Sequence, residues 1–193
     1  MADLLGRSTK NMTTNSISKL YAIGEASPKL VISWAEHMIS SDVYTDSLAV
    51  VAGYSEDLAD KDPDEFYSDF HSALSELGHD ALIFPPSDQR AKQVCEAYLD
   101  GDILADRALI LLYELWREMT YNIKTESGDL VYPFMELSDN LLYLEDNHFP
   151  ITEKFSDMTE SNWKSYFDKE VQSFLNDLHT KMQNPYASFS SER

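Results

Sequence analysis

The longest unbroken helical pattern in the chain runs from Asp102 to Tyr121, DILADRALILLYELWREMTY, without Gly or Pro. Leu104, Ala105, Ala108, Leu109, Leu112, Leu115, Trp116 and Met119 recur at three- and four-residue steps, which on a helix makes one broad apolar face. Ile110 and Leu111 add apolar surface beside it, so neighbours are expected on more than one side. About twenty residues of helix would be roughly 30 Å long, the width of a small domain. This stretch is expected to be the central helix of an all-α protein.

The remaining pattern places shorter helices on either side. Residues 1–17 are rich in Ser, Thr and Asn with little periodicity, and are expected to form a mobile or loosely packed arm. Ser27-Pro28 is a cap residue followed by proline at the first helical position. It opens a stripe of Leu30, Val31, Trp34, Ala35, Met38 and Ile39 that ends near Ser40-Ser41. Tyr44 to Tyr54 reads as a short buried helix, capped by Thr45 or Asp46 and closed by Gly53. Asp62-Pro63 repeats the cap-plus-proline start, and Phe66, Tyr67, Phe70, Ala73, Leu74 and Leu77 lead to a stop at Gly78. Ser87 caps a helix carrying Ala91, Val94, Cys95, Tyr98 and Leu99, halted at Asp100-Gly101.

Beyond the central helix, Thr125 to Pro133 reads as a turn, with Leu130-Val131-Tyr132 as a brief extended piece. Met135 to Glu145 reads as helical, 150–160 as irregular, and Ser161 to Met182 as a long final helix bearing Trp163, Tyr166, Phe167, Val171, Phe174, Leu175, Leu178 and Met182. Residues 184–193 are expected to fray. The expectation is one domain of six or seven helices packed as helical hairpins around a central helix.

Composition adds one unusual fact. The 193 residues hold 34 acids against 15 bases, a formal charge of −19. Such a field repels nucleic acid and anionic membrane and attracts cationic surfaces. The acids are unevenly placed. Residues 41–79 carry ten against the single base Lys61, and residues 129–160 carry eight against the single base Lys154. If the blocks form a face, it could dock a basic protein at an accelerated rate. Its candidate partner-binding residues are Asp57, Asp60, Asp62, Asp64, Glu65, Asp69, Asp139, Glu145 and Asp146. Tyr44, Tyr54, Tyr67, Tyr132 and Tyr143 lie in the same blocks and read equally as aromatic anchors or as core residues with a wet hydroxyl. The charge itself reads equally as a means of solubility.

Catalytic and metal motifs do not emerge. The chain contains no GxSxG, P-loop, GxGxxG or HExxH, so no catalytic residue, metal ligand or cofactor is assigned. Asp60, Asp62 and Asp64 alternate like the start of a calcium loop. Glu65 stands where that loop needs Gly, Pro63 interrupts it, and His71 holds the twelfth position, which excludes an EF-hand. Helix capping explains Asp62, Asp64 and Glu65 more simply. The five histidines are scattered, and Cys95 reads as a buried structural thiol that can form no intrachain disulfide. No run approaches eighteen apolar residues, so a soluble cytoplasmic protein is expected.

The stretches SPKLVISWAEHMISS (27–41), SLAVVAGYS (47–55) and YLDGDILADRALILLYELWREM (98–119) resemble an uncharacterised helical family of bacterial immunity proteins, encoded beside polymorphic or contact-dependent toxins. The resemblance covers about residues 27–145. It implies a non-enzymatic inhibitor that binds a cognate toxin domain, and it carries over no functional residue. Nuclease toxins are basic because they grip phosphates, and an acidic inhibitor would compete for that surface. Three alternatives stand beside this reading: a nucleic-acid-mimic anti-defence protein, a helical metal-dependent hydrolase, and an adaptor whose charge serves solubility.

Overall fold

Side-chain caps decide where most helices of the first half begin. In the computed structural model, which describes residues 12–79, 87–122, 128–145 and 152–183, all regular structure is helical. Thr13 accepts from the Ser16 N–H and starts α1 (Thr14–Ala22). Ser27 accepts from Leu30 and starts α2 (Pro28–Ser40). Thr45 caps α3 (Asp46–Gly53) through Leu48, and Ser55 caps α4 (Glu56–Lys61) through Leu58. Asp62 closes α4 and caps α5 (Pro63–Glu76), where its carboxylate accepts from Glu65. In each case a side-chain oxygen satisfies one of the four N–H groups that a helix start leaves unpaired. The later helices are α6 (Ser87–Leu99), α7 (Ala105–Asn122), α8 (Gly128–Glu145) and α9 (Trp163–Gln183), with a 3₁₀ turn at Glu153–Phe155.

The described residues thus form nine α-helices where the pattern predicts six or seven, and they divide into two compact units, α1–α5 and α6–α9. In the first unit α3 packs on α2 and α5, and α4 lies against the same two helices. Its core is Ile17, Val31, Trp34, Leu48, Val51, Phe66, Phe70 and Leu74, all fully buried. The rings of Tyr21 and Trp34 both meet Phe70 edge-on, at 5.2 and 5.6 Å, a favoured aromatic geometry. In the second unit α7 packs on α6, α8 and α9. Leu112, Phe134, Leu137, Phe155, Phe167 and Val171 are buried there, and Phe134 meets both Phe167 and Phe174 at 5.8 Å.

Several expectations need correction. The loose arm ends earlier than residue 17, because α1 begins at Thr14 and buries Ile17 completely; residues 1–11 lie outside the described residues. Helix α4 is absent from the pattern reading, since six residues with the one buried position Ala59 carry no period. Helix α7 starts at Ala105 rather than Asp102, so Leu104 precedes it and is exposed. Leu99 at the end of α6 and Ile110 on α7 are also exposed, while Leu111 is buried. The supposed turn and extended piece at 128–133 are the first turns of α8. Pro133 lies inside this helix, where it forgoes the backbone bond to the carbonyl of Asp129. Part of the irregular stretch is ordered: Phe155 and Met158 are buried around the 3₁₀ turn.

Candidate acidic docking site

The first acidic block is built by the succession of α4 and α5. A helix start favours carboxylates near its positive end, so two starts at Glu56 and Pro63 concentrate Glu56 and Asp57, then Asp64 and Glu65, in a short length of chain. Asp57, Asp60, Asp62, Asp64 and Glu65 are all exposed. Lys61 is the one base in the stretch. Lys29 reaches Glu56 only at 3.9 Å, with both side chains about 60% exposed, at 60% and 58%, and pairs of this kind contribute little.

Not every predicted member faces outward in the same sense. Asp62 is committed to the α5 cap, at 3.2 Å from the Glu65 nitrogen. Asp69 is half-buried and accepts from the Tyr54 hydroxyl at 2.7 Å. That bond, with burial and nearby carboxylates behind it, pushes the Tyr54 phenol up to about 12. Asp57, Asp60, Asp64 and Glu65 are left as solvated charges, free of any such duty. Glu76, at the far end of α5, accepts from the Ser47 backbone and hydroxyl at 3.2 and 2.9 Å. The Thr45 and Ser47 hydroxyls hold its carboxyl below the usual range.

In the second block, Asp139 is half-buried on α8, and desolvation raises its carboxyl above the ordinary value. Glu145 is the last residue of α8; its side chain and the whole of Asp146 lie outside the described residues.

The tyrosines divide cleanly. Tyr54 and Tyr67 belong to the packing: both rings meet Phe66 edge-on at 5.1 Å, and the Tyr67 hydroxyl donates to the Ala26 carbonyl at 2.8 Å. Tyr44, Tyr132 and Tyr143 are 66%, 47% and 43% exposed, which suits an anchor rather than a core residue. Sequence pattern could not sort them, because every one lies among acids.

Other chemistry-bearing groups are embedded in the fold. His71 contacts the Tyr21 hydroxyl through Nε2, with the two rings 5.0 Å apart and nearly perpendicular, and burial lowers its affinity for a proton. The fully buried Cys95 thiol is pushed well above its ordinary range by desolvation. Among the described residues no group of three or more His, Cys, Asp or Glu is placed to hold a metal ion. No described helix is long and apolar enough to cross a membrane. No family model matches the chain, and neither a curated protein nor a solved structure matches it.

Proposed function

We propose that the chain is a non-enzymatic inhibitor of the immunity type, which neutralises a cognate basic toxin domain, of the nuclease class, in the cytoplasm of the cell that makes it. The observation that carries this reading is the α4–α5 surface. Asp57, Asp60, Asp64 and Glu65 stand exposed at and near two consecutive helix starts, with Lys61 the one base among them. Charges of one sign held in water steer an oppositely charged protein during diffusion, and they act on the association rate more than on the lifetime of the complex. A nuclease domain presents the complementary surface, because it must grip phosphates.

The test is inhibition of a purified basic nuclease toxin encoded beside this chain, followed by stopped-flow association over a salt series. The expected result is stoichiometric loss of nuclease activity. Association should slow about tenfold or more from low to high salt, and replacing Asp57, Asp60, Asp64 and Glu65 by their amides should remove most of that dependence. Undiminished nuclease activity with the chain in excess would overturn the reading.

A further inference from the structure

Helix α8 has two unlike faces. Val131, Phe134, Leu137 and Asn140 turn inward and are buried. On the opposite side Tyr132, Glu136, Asp139 and Tyr143 follow at steps of four, three and four residues, which align them along one stripe. The stripe spans about 16 Å at 1.5 Å per residue. Leu142 flanks it and is 58% exposed, beside Tyr132 at 47% and Tyr143 at 43%. The outer face of a surface helix is ordinarily charged and polar; here Tyr132 on one side and Leu142 and Tyr143 on the other flank the two acids. The helix carries Asp129, Glu136, Asp139 and Glu145 and contains no Lys, Arg or His. Asp139 is partly desolvated, and no cation or hydrogen-bond donor among the described residues engages it.

We propose that this outer face of α8 is a docking surface for an arginine-bearing face of a partner protein, with Tyr132 and Tyr143 as stacking platforms around the carboxylates of Glu136 and Asp139. Charge complementarity sets the sign of the partner, since every ionised side chain of α8 is negative. The choice of arginine over lysine follows from what the stripe offers. A guanidinium lies flat on an aromatic ring and forks onto a carboxylate, whereas an ammonium is a strongly hydrated point charge. Tyrosine supplies large rigid contact area at low entropic cost, and it is enriched where binding energy concentrates. Asp139 has already lost part of its hydration, so an arriving guanidinium gains a strong ion pair against a reduced desolvation cost. The inference rests on the reading of the chain as a binder of a cationic protein and deepens it. Within that reading the aromatic stripe of α8 sets how long the complex lasts.

The test uses the full isotope-labelled chain and two synthetic amphipathic helical peptides, one presenting Arg and Leu on a single face and its twin with Lys for Arg. The expected result is amide shift perturbation centred on Tyr132–Tyr143, with the Arg peptide bound about tenfold more tightly than the Lys twin. Asp139→Asn and Tyr132→Ser should each weaken the Arg peptide about tenfold, with the melting temperature unchanged. Perturbation centred on α4–α5, with Asp139→Asn silent, would overturn the α8 assignment and leave the binder reading standing. Equal affinity for the two peptides would overturn the arginine preference. Absence of binding by both peptides at low salt would overturn the α8 surface, and the nuclease inhibition assay then decides the binder reading independently. A concentration-dependent dimer that Tyr132→Ser abolishes would overturn the proposal by giving the face to a second copy of the chain.

Discussion

The two units use charge differently. In the α6–α9 unit acids are drawn into the framework. Arg90 of α6 meets Glu118 of α7 at 3.0 Å, and Lys154 of the 3₁₀ turn meets Glu170 of α9 at 2.7 Å. Lys164 meets Asp168 at 3.1 Å while the Tyr98 hydroxyl donates to the same carboxylate from α6. In the α1–α5 unit, beside the long, exposed Lys29–Glu56 pair at 3.9 Å, polar links come from neutral donors: Tyr54 to Asp69, Tyr67 to the Ala26 carbonyl, Ser47 to Glu76. Most carboxylates of α4 and α5 point into water. Glu118, Asp168 and Glu170 of the second unit therefore act as mortar, whereas α4 and α5 of the first display their acids as a field. Neutralising an acid should cost stability in the first case and reach chiefly in the second.

The largest expected effects lie in the cores and set the scale for the rest. Trp34→Ala should cost about 3–5 kcal/mol and Leu112→Ala about 2–5 kcal/mol in urea unfolding, because both side chains are fully buried. Trp116, only half-buried, should cost less than Leu112; the reverse order would show α7 wrongly rotated. Next comes Asp62→Ala, where loss of the α5 cap should lower stability by about 1 kcal/mol. That sets Asp62, with Asp69 and Glu76, apart from the displayed acids of its unit, and a neutral result would return it to the field.

Smaller effects separate the units directly. Glu170 is 12% exposed in its side chain, and Glu170→Gln should cost up to about 1 kcal/mol. By contrast Asp57→Asn with Asp64→Asn should change stability by less than about 0.5 kcal/mol, with any gain at low salt disappearing at high salt. A larger loss there than at Glu170 would break the comparison. The smallest effect concerns pH. Burial lowers the proton affinity of His71 from its ordinary 6.5, so folding favours the neutral ring. Its contribution is fully present above pH 6.5 and is lost as pH falls through the lower folded value. Unfolding curves should thus show a slope below pH 6.5 that His71→Phe reduces; an unchanged slope would assign it elsewhere.

What could be read from the residues follows from how local each signal is. Ser27-Pro28 and Asp62-Pro63 announce α2 and α5 to the residue, since a cap needs only its own turn. Helix α9 is legible for its length, with Phe167, Val171, Phe174 and Leu178 buried in step. Helix α1 is hidden because Ser, Thr and Asn dominate it and its stability comes from burying Ile17 and Leu20. In α8, Pro133 conceals the register between Tyr132 and Tyr143, and with it the outer stripe. The candidate acidic site is legible as carboxylates but not as roles. Whether Asp69 faces water or a tyrosine depends on α5 meeting the chain after α3, a tertiary fact with no local signature.

The buried thiol of Cys95 gives the second unit a chemical clock. A thiolate reacts and a shielded thiol does not, so an added disulfide reagent can reach Cys95 only when α6 opens. The rate at which the intact protein colours such a reagent therefore counts those openings one molecule at a time, with no label introduced. Weakening Glu170 should make the clock run faster, and neutralising Asp57 should leave its rate untouched.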